Sequence, residues 1–283
     1  MNIEWYPGHM TRAFRRIKDD LKLIDLVVEI VDARLPVSSR NPEIDSLCAN
    51  KKRILILNKA DLSDPNLNDK WECFYKEKGH LTILNDSRKN SNKKIIEKYI
   101  NEALAEKKER DKKRGILNRP LRVLVAGIPN VGKSTFINSI AKKSVAKTGD
   151  KPGITKGNQW ISIGKGIELL DSPGLLWPKF EDEKVGMRLA LVGSINDNII
   201  DLEELAVYGI DFLKTGYKGI LNAKYSVNED ASSYDILSEI AKNLNLIKAQ
   251  NELDTARAAR LFLNDLRAGK IGKISLESPE EDH

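Results

Sequence analysis

Short runs of Ile, Leu and Val occur in the first two-thirds of the chain, separated by segments with apolar residues every three or four positions. Such runs are typical of strands buried in a parallel sheet, and the intervening segments are typical of amphipathic helices. The predicted strands are residues 26–31, 53–57, 81–84 and 121–126. Two further runs, 161–163 and 167–170, are joined through Gly164 and Gly166, which predicts a hairpin and an antiparallel edge. The fold class is therefore α/β, with a doubly wound sheet.

The last third of the chain lacks these runs and shows helical periodicity instead. Helices are predicted at 184–195, 202–213, 234–244 and 256–266, in addition to a basic amphipathic helix at 11–23. We expect an α/β domain over residues 1–178 and a small all-helical domain over 179–283. A charged run followed by Gly115 and Pro120 predicts a linker at about 106–120 inside the first domain, or a helical tail that extends the preceding helix.

Composition, the N-terminal sequence and the cysteine spacing limit the class of protein to which the chain can belong. The chain has 283 residues, 41% of them hydrophobic, which is enough for a packed core. The N-terminal sequence lacks secretion-signal features and no apolar run approaches the roughly 18 residues of a membrane span, so we expect a cytoplasmic protein that does not bind membranes. Cys48 and Cys73 follow no metal-binding spacing and are expected to be reduced thiols.

The charge is divided unevenly along the chain. Residues 1–180 carry 35 Lys and Arg against 22 Asp and Glu, whereas residues 181–283 carry 12 against 19. A basic surface of this kind attracts phosphate-rich partners, and RNA is favoured over DNA because no DNA-reading motif is present. The alternative is a solvated lysine-rich surface with no such partner.

A phosphate-binding loop is predicted at 127–134, where the sequence reads Gly-Ile-Pro-Asn-Val-Gly-Lys-Ser. It directly follows a predicted strand and opens a helical segment, which is the setting that this motif requires. Backbone N–H groups from Asn130 to Thr135, including those of Val131 and Gly132, can surround phosphate oxygens. Lys133 can neutralise the outer phosphates, and the hydroxyl of Ser134 can ligate Mg²⁺.

Base selection is predicted from the sequence Asn-Lys-Ala-Asp at 58–61. The carboxylate of Asp61 can accept hydrogen bonds from the N1–H and 2-amino groups of guanine, which adenine cannot supply. Asn58 can contact the opposite edge of the base, and the stem of Lys59 can cover the ring. This segment predicts GTP rather than ATP as the nucleotide.

A third element, Asp-Ser-Pro-Gly at 171–174, closes the last predicted strand. Asp171 is placed to hold Mg²⁺ through water, and the N–H of Gly174 can contact a γ-phosphate. Between this element and the phosphate loop lies a Gly-containing segment at 148–155, typical of a switch loop, in which Thr155 can close over Mg²⁺ and the γ-phosphate.

The motifs resemble those of translation-factor-related GTPases, but here the guanine-reading segment precedes the phosphate loop. That order, together with Tyr-Pro-Gly-His-Met at 6–10, Asp-Ala-Arg at 32–34 and the closing segment 265–272, resembles the circularly permuted GTPases that act in ribosome assembly. The resemblance runs essentially end to end. It implies a circularly permuted Ras-like P-loop domain, hydrolysis of GTP to GDP and phosphate, and a base-contacting motif at 85–87 that includes Ser87.

The resemblance also bears on how water would be activated. Ras-like enzymes place a glutamine after the Asp-x-x-Gly motif, and this chain has Leu175 there, which cannot orient water. Two compensations are implied: K⁺ bound beside the phosphates with help from Asn130, and His9 positioning water once a ribosomal partner is bound. The alternative for His9 is a surface or packing histidine.

The partner implied by the resemblance is the precursor of the large (50S) ribosomal subunit, with its rRNA and proteins, bound by a monomer. The candidate RNA-binding residues are Arg12, Arg15, Arg16, Arg257, Arg260, Arg267 and Lys270. A solvated helix face is the alternative for each group. Two other functions stay open: a GTPase acting on another RNA or on a membrane, and a GTP-gated RNA-binding module with little turnover.

Overall fold

The computed structural model describes residues 14–15, 17–89, 92–116, 119–141, 159–163, 166–177, 180 and 182–281. Within these residues, six strands form one sheet in the order β3-β2-β1-β4-β6-β5. The strands are β1 (Leu26–Asp32), β2 (Lys52–Asn58), β3 (Leu81–Asn85), β4 (Leu121–Ala126), β5 (Gln159–Ser162) and β6 (Ile167–Asp171). Neighbouring strands are parallel except for the β5–β6 pair. The predicted α/β sheet with an antiparallel edge is confirmed.

Five helices in the described part of the chain accompany the sheet. They are α1 (Pro42–Leu47), α2 (Pro65–Glu77), α3 (Lys93–Ala103), α4 (Ala105–Lys113) and α5 (Lys133–Ala141). The first two begin sharply because Asn41 and Asp64 accept hydrogen bonds from the backbone of their first turns and a proline follows each. The helix predicted at 11–23 falls partly outside the described residues; 17–20 are helical and Leu21–Leu23 form a 3₁₀ turn.

The register of the sheet brings the sequence motifs to one edge. Asp32 at the end of β1 lies opposite Asn58 of β2, and Asn58 lies opposite Asn85 of β3. On the other side, Val125 near the end of β4 lies opposite Asp171 of β6. Ligands of open parallel sheets bind at the carboxyl ends of the strands, and this is the edge where all these residues lie.

A second compact unit, the helical unit, is formed by the described residues 182–274. Its helices are α6 (Glu183–Leu191), α7 (Leu202–Gly216), α8 (Ile220–Tyr225), α9 (Ser233–Asn243) and α10 (Thr255–Arg267). A Cβ added at Gly209 of α7 would lie 2.9 Å from Leu191 and 3.1 Å from Phe262, so glycine permits the close approach of these helices. No helix among the described residues is long and apolar enough to cross a bilayer.

The boundary of the helical unit differs from the sequence-based expectation of 179–283. The described residues 275–281 belong with the sheet, in what we call the sheet unit. The cause is a set of hydrogen bonds from this final segment, which we call the C-terminal strap (residues 275–281), to the loop after β1 and to the start of α2.

Candidate nucleotide-binding site

The phosphate loop joins β4 to α5 in a tight backbone turn. Gly127, Asn130 and Gly132 have φ values of 151°, 61° and 95°, so three positions of the loop have positive φ. A Cβ on Gly127 would lie 2.4 Å from the carbonyl oxygen of Ile30, which only glycine avoids. Successive N–H groups in such a turn form a concave anion-binding surface.

Lys133 is enclosed by this loop. Its side chain is buried, and its ammonium donates a hydrogen bond to the carbonyl oxygen of Ile128 at 2.8 Å. Burial lowers the pKa of Lys133 to about 8, although the nearby Asp171 acts in the opposite direction. A phosphate group beside this ammonium would therefore stabilise its charged form against the effect of burial.

Ser134 and Asp171 lie next to each other across the site. The hydroxyl of Ser134 donates to Oδ2 of Asp171 at 3.4 Å, and Oδ1 of Asp171 is buried with no hydrogen-bond partner among the described residues. Burial raises the pKa of Asp171, and Lys133 and Ser134 only partly offset this. An unpartnered carboxylate oxygen beside a hydroxyl is a donor set that suits Mg²⁺. No cluster of three or more His, Cys, Asp or Glu able to hold a metal occurs in the described ranges.

The loop that follows Asp171 lies against the phosphate loop. A Cβ on Gly174 would lie 2.6 Å from both Cα and N of Pro129, so the two backbones touch. Leu175, at the position of the Ras glutamine, is buried, and it packs in a cluster that includes Ile24 and Ala126. Its side chain therefore belongs to the core and cannot orient water, as the sequence indicated.

Asn58 is the centre of a hydrogen-bond network at the guanine-reading segment. Its Oδ1 accepts hydrogen bonds from the hydroxyl of Ser87 at 2.7 Å and from the amide of Asn85 at 3.0 Å. Its Nδ2 donates to the carbonyl oxygen of Val131 in the phosphate loop at 2.7 Å. Ser87 is thus brought to the site, and in the structure its hydroxyl fixes Asn58.

Lys59 and Asp61 are each held by an opposite charge. The ammonium of Lys59 lies 3.0 Å from Oδ2 of Asp32, and Lys59 has a φ of 61°. The carboxylate of Asp61 pairs with the guanidinium of Arg88 in the loop after β3. Because Arg88 is largely exposed, it can yield to other donors, such as the N–H groups of a base.

Three contacts of the site were missed by sequence reasoning. Asp32, Arg88 and Asn41 support Lys59, Asp61 and Leu175 respectively, the last through a hydrogen bond from the Asn41 amide to the Leu175 carbonyl at 2.9 Å. Of these three residues, Asp32 could have been identified from the sequence, because it belongs to the Asp-Ala-Arg segment at the end of a predicted strand.

The candidate RNA-binding residues are only partly described. Arg15, Arg257, Arg260 and Lys270 are exposed. Arg267 has a structural contact instead: it binds both carboxylate oxygens of Asp197 at 2.8 Å and donates to the carbonyl oxygens of two residues at the end of α6. His9, Arg12, Arg16 and Thr155 lie outside the described residues.

Comparison with known proteins gives consistent matches. Residues 122–248 match the family described as "50S ribosome-binding GTPase". The chain is 46% identical to ribosome biogenesis GTPase A of Bacillus cereus over 282 residues, covering 99% of this chain and 95% of the relative. It is 32% identical to ribosome biogenesis GTPase A of Thermotoga maritima, covering 99% of this chain and 95% of that protein.

Solved structures agree. The GNP-bound structure of YlqF from T. maritima matches with a TM-score of 0.69 and 29% identity, covering 96% of this chain and 100% of that one. The GDP-bound structure of the same protein matches with the same TM-score and covers 94% of this chain and 100% of that one. These relatives agree with the order of the sheet and with the guanine-reading segment that precedes the phosphate loop in this chain. The chain therefore belongs to the ribosome biogenesis GTPase A family of circularly permuted GTPases and hydrolyses GTP.

Proposed function

We propose that the chain is a GTP-hydrolysing switch that acts as an assembly factor for the large ribosomal subunit. The observation that carries this proposal is the end-to-end match to ribosome biogenesis GTPases, supported by the meeting of a guanine-reading loop and a phosphate loop at one edge of the sheet. The basic charge of residues 1–180 is suited to an RNA-rich partner. We further propose that the protein works in the cytoplasm as a monomer.

The nucleotide roles follow from the geometry of the two loops. Asp61 would accept from the N1–H and 2-amino groups of guanine in place of Arg88, with the stem of Lys59 over the ring and Asn58 and Ser87 shaping the loop. Lys133 and the backbone N–H groups of the phosphate loop would bind the β- and γ-phosphates. These loop residues are Asn130, Val131, Gly132, Ser134 and Thr135, to which Gly174 adds its N–H opposite the γ-phosphate.

The metal roles rest on the buried, unpartnered oxygen of Asp171. Ser134 and Asp171, with Thr155 from the switch segment, would hold Mg²⁺. When bound, this ion would neutralise charge on the β- and γ-phosphate oxygens. The chain's own contribution is to keep Asp171 ionised and oriented, which Lys133 favours by its positive charge.

Activation of water requires a group other than Leu175, which is held in the core. We propose that His9 positions water when the ribosomal partner is bound, and that Asn130 helps to bind K⁺ beside the phosphates. Without such a group the basal rate would be low until a partner supplies or orders one, because Leu175 cannot replace the glutamine.

RNA contact is proposed for two groups of cations. One is the basic segment at 11–23, with Arg12, Arg15 and Arg16, and the other is α10 and the turn after it, with Arg257, Arg260 and Lys270. Arg267 was expected to join the second group, but its guanidinium holds Asp197 and the end of α6, so we leave it out.

The test is GTP hydrolysis measured with the chain alone, with purified large subunits and with purified small subunits, in K⁺ and in Na⁺ at matched ionic strength. We expect the large subunit alone to raise the rate of GTP hydrolysis at least about 10-fold. This stimulation should be lost when Na⁺ replaces K⁺. His9→Ala should retain the basal rate and lose the stimulation, whereas His283→Ala, a matched loss of a histidine, should change neither. No stimulation by either subunit would overturn the ribosomal role, and stimulation by both would make RNA in general the partner.

A further inference from the structure

The C-terminal strap is anchored to the loop between β1 and α1 by a buried carboxylate. Glu277 is only 2% exposed, and its two oxygens accept hydrogen bonds from the backbone N–H of Val37 at 2.9 Å and of Ser38 at 3.0 Å. The hydroxyl of Ser38 also donates to Glu277. A buried carboxylate is tolerated only when it is hydrogen-bonded in this way, and charge-assisted bonds to backbone amides are strong.

Two neighbouring residues of the strap extend this anchorage. The N–H of Leu276 donates to the carbonyl oxygen of Arg34 at 2.6 Å. The hydroxyl of Ser275 accepts from the N–H of Asp64, the N-cap of α2, at 3.1 Å. The strap therefore holds both the loop after β1 and the helix that follows the guanine-reading segment.

From Arg34 the contacts lead directly to the guanine-reading segment. The guanidinium of Arg34 binds both carboxylate oxygens of Asp32, at 2.9 and 2.8 Å. Asp32 in turn holds the ammonium of Lys59 at 3.0 Å. Burial alone would raise the pKa of Asp32, but Arg34 and Lys59 outweigh it and hold that pKa well below its usual range. The carboxylate is therefore ionised, and the position of Lys59 depends on where the loop holds Asp32 and Arg34.

We infer that Glu277 is a positioning residue for the guanine-nucleotide site, acting through the loop at 33–41, Asp32 and Lys59. The inference rests on the proposed role of Lys59 over the guanine ring. Glu277 touches no nucleotide itself. By fixing the backbone at Val37 and Ser38, it limits the positions that Arg34 and Asp32 can adopt, so Lys59 is already in place when the base arrives.

The experiment is a double-mutant cycle on GDP affinity with the full chain. Glu277→Ala and Glu277→Gln are each combined with Lys59→Ala, and thermal unfolding is recorded without nucleotide. Glu280→Ala is the matched control, because Glu280 lies in the same strap but is exposed and paired with Lys70. We expect Glu277→Ala to weaken GDP binding about 5-fold and Glu277→Gln, which keeps one acceptor oxygen, about 2-fold. In the Lys59→Ala background, we expect Glu277→Ala to add less than about a 2-fold further loss.

The outcomes separate the inference from the proposal beneath it. An equal loss of affinity in both backgrounds, or a fall in thermal stability with unchanged GDP affinity, would overturn the inference alone and make Glu277 a structural residue. Unchanged GDP binding in Lys59→Ala by itself would overturn the proposed role of Lys59, and the inference with it. If Glu277→Ala does not fold, Glu277→Gln decides between the same outcomes.

Discussion

The side-chain amide of Asn58 donates a hydrogen bond to the carbonyl oxygen of Val131 at 2.7 Å, across 73 positions of sequence. This contact joins the guanine-reading segment to the phosphate loop. The same Nδ2 lies 2.4 Å from the position that a Cβ on Gly132 would occupy, so glycine is needed there for the two loops to meet. The order of the two motifs along the chain is therefore immaterial to the site, since the sheet edge brings them together.

Asn58→Ala should weaken nucleotide binding as well as the fold. The change leaves the Val131 carbonyl without this donor and the Ser87 hydroxyl without its acceptor, which costs about 1–3 kcal/mol of unfolding free energy. We expect GDP affinity to fall about 10-fold or more. Isothermal titration and chemical denaturation check the two effects, with exposed Asn66→Ala as the control. A variant with reduced stability but full GDP affinity would show that the contact does not serve the site.

Lys133 should make stability depend on pH in the alkaline range. Its pKa is lowered in the folded protein to about 8 by burial, from an unfolded value of 10.5, so the unfolded chain binds more protons between these values and stability rises with pH. Below pH 8, Lys133 is protonated in both the folded and the unfolded state, and its buried charge lowers the free energy of unfolding by the full amount.

The measurement is urea denaturation of the nucleotide-free protein at pH 7 and pH 9.5, compared with Lys133→Met. We expect the contribution of Lys133 to the free energy of unfolding to be about 2 kcal/mol more favourable to the folded state at pH 9.5 than at pH 7. Lys133→Met should lack this contribution and bind GTP at least about 100-fold more weakly. An identical pH dependence in both proteins would contradict the buried setting of this ammonium.

In the helical unit, Arg267→Ala and Arg260→Ala should differ in their effect on the free energy of unfolding, although both residues are on α10. Arg267→Ala removes the partner of Asp197 and of two backbone carbonyls, so we expect a loss of about 2 kcal/mol of unfolding free energy. Arg260 is exposed, so Arg260→Ala should change stability by less than about 0.5 kcal/mol.

The proposed contact of Arg260 with RNA is tested by measuring the affinity for large-subunit RNA over a range of salt concentrations. Arg260→Ala should weaken binding and reduce the slope of log affinity against log salt by about 1. An unchanged slope in Arg260→Ala would remove α10 from the proposed RNA surface.

The strands and the phosphate loop could be predicted because their signals are local. Runs of Ile, Leu and Val are buried on both faces of β1, β2 and β4, and the glycines at 127 and 132 stand where the backbone requires them. For the charged run at 106–120 the sequence left two possibilities open, a linker and a helical tail. Its first part is α4, a helix with no buried residue, because Ala, Glu, Lys and Arg favour helix even without a buried face.

The supporting contacts could not be predicted because they depend on the register of the sheet and on distant segments. Asp32 meets Lys59 only because β1 and β2 pair with Asp32 opposite Asn58. Glu277 lies 239 positions from Ser38, in a segment with no apolar periodicity, so nothing local marks it as buried. Such pairs follow from the fold and are not visible in a motif.

We propose that Asp61 selects guanine from a position before the phosphate loop in the chain. The most direct measurement is competition between GTP and xanthosine triphosphate for Asp61→Asn. Xanthine replaces the 2-amino donor of guanine by a carbonyl acceptor, and an asparagine amide offers one donor and one acceptor in place of two acceptors. We expect the variant to prefer xanthosine triphosphate and to lose at least about 100-fold in GTP affinity, while exposed Asp69→Asn keeps the preference for GTP. Retention of GTP preference by Asp61→Asn would show that a residue other than Asp61 selects the base.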